Sequence, residues 1–76
     1  MKKFIDHKTA TEILLNGRKV DEYYFYNGIW EYNCSYRFNK DLNHIEWTNK
    51  DQKDAKNWIF YSGKLISKYK YVVVEE

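Results

Sequence analysis

Tyr23-Tyr24-Phe25-Tyr26-Asn27-Gly28-Ile29-Trp30-Glu31-Tyr32 joins two aromatic runs through Asn-Gly. An Asn-Gly pair between strand-prone runs supplies the two positive-φ residues of a type I′ turn, whose twist matches the strands it connects. The stretch therefore predicts a β-hairpin. A two-residue loop sets Tyr26 opposite Ile29, Phe25 opposite Trp30, Tyr24 opposite Glu31 and Tyr23 opposite Tyr32. One face then carries Tyr23, Phe25, Trp30 and Tyr32; the other carries Tyr24, Tyr26, Ile29 and Glu31. Both faces are aromatic, so at least one phenol-rich face is expected to meet a partner, a subunit or a ligand.

Upstream, Thr9-Ala10-Thr11-Glu12 has the form of a capping box and predicts a helix starting at Thr9. Ala10, Ile13 and Leu14 follow a helical period, and Asn16-Gly17 is a left-handed stop, which gives about two turns. A helix this short is marginal alone, so Ile13 and Leu14 are expected to lie against a sheet. Downstream, the second hairpin strand either runs on through Asn33-Cys34-Ser35 to Tyr36-Arg37-Phe38 or bends there. Asn39 to Asn43 is a polar turn. His44-Ile45-Glu46-Trp47 alternates, so Tyr36, Phe38, Ile45 and Trp47 are expected to share a buried face, with Arg37 and Glu46 pointing away. Thr48 to Asn57, with Lys50, Lys53 and Lys56 among Asp51 and Asp54, reads as a solvated loop or short surface helix. Trp58 to Tyr61, Ser62-Gly63 and Lys64 to Ile66 predict a second hairpin, with Phe60 opposite Leu65 and Ile59 opposite Ile66. Tyr69 to Val74 is a β-branched last strand, its edge guarded by Glu75 and Glu76. The fold class is α+β: one short N-terminal helix packed on a curved antiparallel sheet of about five strands, with a small barrel as the alternative closure.

Seventy-six residues make a single domain near the lower limit for a self-sufficient core, a size at which association into a homo-oligomer helps. One cysteine excludes an intramolecular disulfide and fits a reduced compartment. Three Trp, eight Tyr and four Phe take over the stabilising role. Met1-Lys2-Lys3-Phe4-Ile5 opens like a signal peptide, but Asp6, His7 and Lys8 interrupt it, and the longest apolar runs fall far short of the ~20 residues of a membrane span. A cytoplasmic protein is expected. Thirteen Lys and Arg against eleven Asp and Glu leave +2, too balanced to mark a nucleic-acid binder.

An enzyme needs a nucleophile, an acid–base pair or a metal, and the candidates are sparse. Cys34 sits in no catalytic signature and reads as structural. His7 and His44 fit no metal-ligand spacing. Glu31 and Glu46 could converge as paired carboxylates, although a solvated or salt-bridged acid on a β face is commoner. Gly17, Gly28 and Gly63 finish a helix or a turn and build no phosphate loop. No catalysis, cofactor or metal is expected. What remains is an aromatic surplus with cations beside it, a combination that stacks on bases and neutralises phosphate. Tyr24, Tyr26 and Trp30 are the stacking candidates, and Arg18, Lys19 and Arg37 the cations. The same aromatic spacing also serves a core or a subunit interface.

Thr9 to Val20, containing Leu14, Gly17, Arg18, Lys19 and Val20, resembles the opening of small phage-encoded domains with an Ala-x-x-x-Leu-x-x-Gly-Lys-Lys-Val-like helix and strand. Trp58-Ile59-Phe60-Tyr61 resembles their closing Trp-x-x-Tyr. Within that group the chain looks most like the second type of Thoeris anti-defence sponge proteins. The resemblance implies a homo-oligomer that sequesters a cyclic nucleotide immune signal without destroying it, with Arg18, Lys19 and Trp58 as ligand-binding residues. Those proteins usually carry a tryptophan just beyond the Lys-Lys-Val strand, where this chain has Asp21-Glu22-Tyr23-Tyr24. Two other functions suit the same residues. One is a small inhibitor that blocks a host defence protein through its Tyr/Trp face. The other is a single-strand nucleic-acid binder, which the small net charge disfavours.

Overall fold

The computed structural model describes residues 2–49 and 56–75. Helix α1 spans His7–Leu15 and begins two residues before Thr9, where the capping box predicts it. Its cap is Asp6, in extended conformation (φ −79°, ψ 171°), whose Oδ1 accepts the Thr9 backbone N–H at 2.8 Å. Thr9 is thus a helical residue and not the cap. Two forces favour the earlier start. A carboxylate is a stronger acceptor than a hydroxyl and suits the positive helix end. Ile5 also exchanges backbone hydrogen bonds with Tyr71 (2.8 and 3.1 Å), which pins the chain one residue before Asp6. At the other end the Gly17 N–H bonds to Leu14 C=O at 2.9 Å and the Arg18 N–H to Ile13 C=O at 3.3 Å, with Gly17 at φ 101°. This is a Schellman stop, as Asn16-Gly17 predicts. Ala10 and Leu14 are fully buried and Ile13 packs beside them. Burial of Leu14 alone contributes about 1.5–3 kcal/mol, which offsets the weakness of so short a helix.

Five antiparallel strands, β1 (Val20–Tyr26), β2 (Ile29–Asn39), β3 (His44–Thr48), β4 (Ile59–Tyr61) and β5 (Lys70–Val73), lie in the order β4-β3-β2-β1-β5. The sheet is open, so the barrel alternative does not hold. The β1–β2 register is the one the Asn-Gly loop dictates: Tyr26↔Ile29, Phe25↔Trp30, Tyr24↔Glu31 and Tyr23↔Tyr32. Asn27 (φ 50°) and Gly28 (φ 81°) take the left-handed turn positions. β2 runs on through Asn33-Cys34-Ser35, but with a bulge: Tyr23 pairs with Tyr32 and Glu22 with Cys34, leaving Asn33 as the extra residue. Tyr36↔Trp47 and Phe38↔Ile45 share a face, as alternation predicts.

The second predicted hairpin does not form. Ile59–Tyr61 pairs with β3, setting Phe60 opposite Glu46 and Ile59 opposite Trp47, whereas Lys64 to Ile66 is not a strand. The chain instead crosses from one edge of the sheet to the other, where β5 pairs with β1. Gly63 lacks the positive φ that a two-residue hairpin loop needs. Leu65 is the anchor of the crossing, 5% exposed in the core with Val20, Cys34, Tyr36 and Tyr71. The Ile66 N–H bonds to Tyr71 Oη at 3.3 Å, and Tyr61 Oη donates to Lys64 C=O at 3.0 Å. Burying Leu65 against Tyr71 outweighs the few ladder bonds of a three-residue strand. The last strand is Lys70–Val73, shorter than Tyr69 to Val74, and Glu75 beyond it bonds to Arg18 at 3.1 Å. Residues 50–55 of the lysine-rich segment, and Glu76, lie outside the described residues. No helix among the described residues is long and apolar enough to cross a membrane.

Candidate functional site

Alternation from Val20, which packs under α1, divides the sheet into a helix face and an opposite face. Tyr23, Phe25, Trp30 and Tyr32 fall on the opposite face. Phe4, delivered there by the Ile5–Tyr71 bridge, extends the set. Its ring lies 5.4 Å from that of Tyr23 and 5.9 Å from that of Trp30; Phe25 and Trp30 are 5.2 Å apart, and Tyr23 and Tyr32 6.0 Å. Two ammonium groups stand over this surface. Lys70 Nζ is 5.4 Å from the Trp30 ring centre and Lys2 Nζ 5.2 Å from that of Tyr23. A cleft of about 310 Å³ opens beside Trp30, bordered by Phe4, Ile5, Asp6, His7, Ser67, Tyr69 and Lys70. That volume is at the lower end of the ~300–1,000 Å³ typical of small-molecule pockets.

On the helix face of the hairpin the Tyr24 and Tyr26 rings are 6.4 Å apart, and Tyr24 Oη donates to Glu31 Oε2 at 3.1 Å. That bond to a carboxylate raises the Tyr24 phenol above its ordinary value. A second cleft, of about 410 Å³, is lined by Tyr24, Phe25, Asn33, Lys68 and Tyr69. At the tip Phe25 (59%), Tyr26 (57%) and Ile29 (56%) stay exposed on both faces.

The other expected site residues lie elsewhere. Arg18 sits at the base of β1, its Nη2 on Glu75, in a separate groove with Lys2, Lys3, Ile5 and Ile13. Lys19 is half-buried, and its C=O accepts the Val74 N–H at 3.0 Å. Arg37 and Trp58 come together far from one another in sequence: the guanidinium lies 4.5 Å over the indole, while Arg37 Nε donates to Glu46 at 2.8 Å. Glu46 is buried and also holds Asn39 Nδ2 (3.2 Å) and His44 Nε2 (3.0 Å). The His44 ring packs edge-on against Phe60 at 4.8 Å. His44, then Arg37 and Asn39, hold the Glu46 carboxyl below its ordinary value against the opposing effect of burial. Glu31 and Glu46 lie on opposite faces of the sheet, so they form no carboxylate pair: Glu31 aligns with Tyr24, Glu46 with Arg37 and Phe60.

Sequence reasoning missed Glu22, which is 3% exposed and accepts four hydrogen bonds. Oε1 takes Tyr71 Oη (2.8 Å) and Tyr36 Oη (3.1 Å); Oε2 takes Asn33 Nδ2 (2.7 Å) and Cys34 Sγ (3.2 Å). The available signal was its position two residues after Val20, on the same face as a core residue. Burial foremost, with Glu22 adding to it, pushes the Cys34 thiol up to about 12. The phenols of Tyr36 and Tyr71 are raised too, chiefly by burial. A thiol so protonated is no nucleophile at neutral pH. No cluster of three or more His, Cys, Asp or Glu among the described residues could hold a metal ion. No protein-family model, curated protein or solved structure matches the chain.

Proposed function

We propose that this protein is a non-catalytic binding module that sequesters a phosphate-bearing nucleotide on the aromatic face of its hairpin. The observation that carries the reading is the pairing of Lys70 with Trp30, bordering a cleft that Phe4 also lines. A base stacks on the half-buried Trp30 indole and the Phe4 ring, and the Lys70 ammonium neutralises its phosphate. Burial at nanomolar affinity, about −12 kcal/mol, is enough to remove a signal without any chemistry. The likeness of Thr9 to Val20 and Trp58 to Tyr61 to the second type of Thoeris anti-defence sponge proteins leads to the same class of ligand: a cyclic nucleotide immune signal, held by a phage-encoded homo-oligomer in the host cytoplasm.

Native mass spectrometry of the purified protein with a panel of linear and cyclic nucleotides tests this reading. A bound nucleotide released intact on denaturation is expected, with Trp30→Ala and Lys70→Ala each lowering affinity at least about tenfold. Undiminished affinity in both variants refutes the site, and loss of the nucleotide over time refutes sequestration. A second reading is favoured by the tip, where Phe25, Tyr26 and Ile29 stay more than half exposed on both faces and a flat base covers only one. There the hairpin acts as a hot spot that grips a host defence protein. Stable association with a macromolecule and indifference to the whole nucleotide panel is its mark.

A further inference from the structure

The β5 edge of the sheet is only half covered. Ile5 exchanges both backbone hydrogen bonds with Tyr71, so the N-terminal segment begins to add to β5 as a further strand. It stops after that single bridge. Antiparallel pairing would next set Lys3 opposite Val73, and among the described residues no such pair forms. The chain leaves because Phe4 crosses to Tyr23 and Trp30, at 5.4 and 5.9 Å, on the opposite face, and the Lys2 ammonium goes with it to the Tyr23 ring. Val73 is left facing outward. The Val74 N–H bonds inward to Lys19 C=O and Tyr71 bonds outward to Ile5, so strand alternation directs the N–H and C=O of Val73 away from β1. Neither group has a hydrogen-bond partner among the described residues. A groove of about 490 Å³ opens there, with Ile5, Ile13, Val72 and Val73 as its apolar lining. Lys2, Lys3 and Arg18 line it too, against a single acid, Glu75, which Arg18 holds at 3.1 Å. An open strand edge, an apolar lining and a surplus of positive charge therefore meet in one place.

We propose that this groove receives an acidic, extended segment of a partner protein, which adds to β5 at Val73 as a strand. The proposal uses a surface apart from the aromatic clefts and does not rest on the nucleotide reading. Backbone bonds to Val73 attach the segment, and its alternate side chains turn toward the apolar lining and toward the cations. Lys3 and Arg18 select its charge. A carboxylate of the segment takes the place on Arg18 that Glu75 now holds, so Glu75 competes with the partner. Three cations against one acid still favour an acidic segment, and a basic one meets repulsion. A small anion by itself satisfies the cations but leaves the Val73 edge and the apolar lining unused.

Amide-resolved nuclear magnetic resonance with end-blocked peptides of about six residues, the common length of a strand, tests the proposal. One peptide alternates glutamate with valine, a second alternates lysine with valine, and a third is the glutamate peptide N-methylated throughout, which removes every backbone donor. In the free protein the Val73 amide is expected to exchange with deuterium at least about tenfold faster than the bonded amides of Tyr71 and Val74. The glutamate peptide is expected to shift Ile5, Ile13 and Val73 in a saturable way and to slow exchange at Val73, with the other two peptides at least about tenfold weaker. Arg18→Ala, at an exposed position, is expected to lower the affinity about two- to fivefold, the worth of an exposed ion pair, and Glu75→Gln to raise it by as much. Opposite signs are the mark of competition, since losing the Arg18–Glu75 pair as a mere clamp moves both variants the same way. A Val73 amide already protected in the free protein overturns the open edge. Equal binding of the lysine peptide overturns the selection for acids, and equal binding of the N-methylated peptide overturns strand addition. No binding of the glutamate peptide at about 1 mM overturns the site.

Discussion

Replacing Glu22 by alanine removes the acceptor of four hydrogen bonds at a site 3% exposed. The Tyr36 and Tyr71 hydroxyls and the Cys34 thiol are left as donors in the core, while Asn33 stays at the exposed bulge and turns to water. A buried donor deprived of its partner costs about 1–3 kcal/mol. Two phenols, with a smaller contribution from the weak thiol donor, therefore put Glu22→Ala at about 3–5 kcal/mol. A domain of this length has about 4–11 kcal/mol in all, so the variant approaches the unfolding threshold. Glu22→Gln separates hydrogen bonding from shape. Its amide oxygen can still accept from Tyr36 and Tyr71, and its amide nitrogen then meets Asn33, which can rotate to present its own oxygen. The expected cost is about 1–2 kcal/mol. Urea unfolding followed by circular dichroism reads both, and a thermal melt gives the same order at about 4–8 °C per kcal/mol. Glu31→Ala, which loses the single bond from Tyr24 at the hairpin surface, is the control and is expected to shift the midpoint by less than half as much as Glu22→Ala. A Glu22→Ala protein that melts within ~4 °C of the parent refutes the network as a source of stability.

Glu46 carries the acid dependence. Because His44, Arg37 and Asn39 depress its folded value below the ordinary 4.5, its contribution is present above that value and is lost as pH falls through the lowered one; Glu46→Gln is expected to flatten the stability profile below about pH 4.5, and an unchanged acid limb in urea titrations speaks against the cluster. Cys34, buried beside Glu22 and pushed up to about 12, is expected to resist a disulfide-exchange reagent at about pH 8 in the folded protein and to react at once in denaturant, with the native rate rising as urea unfolds the chain; stoichiometric labelling of folded protein within the mixing time contradicts the burial.

Local chemistry was legible from residue order alone. Asn27-Gly28 set the hairpin register, and Asn16-Gly17 set the helix stop, because each depends on φ preferences of adjacent residues. The shared face of Tyr36, Phe38, Ile45 and Trp47 followed from period-two alternation across a polar turn. Asp6 and Thr9 both head acceptable capping patterns, and the choice between them fell to a distant residue, Tyr71, which holds Ile5 in place.

The candidate site was legible in its composition and not in its assembly. Trp30, Tyr24 and Tyr26 stood out as surplus aromatics on a hairpin, yet the lysines beside them, Lys2, Lys68 and Lys70, come from both ends of the chain. Arg18 was adjacent in sequence and is bonded instead to Glu75 at the base of β1. Ser62-Gly63 looked like a hairpin loop because a short window weighs turn residues, whereas the fold weighs where Leu65 can be buried. Sequence by itself determined the Asn16-Gly17 and Asn27-Gly28 turns and the alternation of the strands, each set within a few residues by backbone sterics, and the aromatic excess. Only the tertiary structure decided the crossing of residues 62–69, the burial of Glu22 among two phenols, an amide and a thiol, and the company that Trp30 keeps. Those depend on which distant side chains share one desolvated volume, and free energy of burial is a property of that volume, not of any stretch of chain.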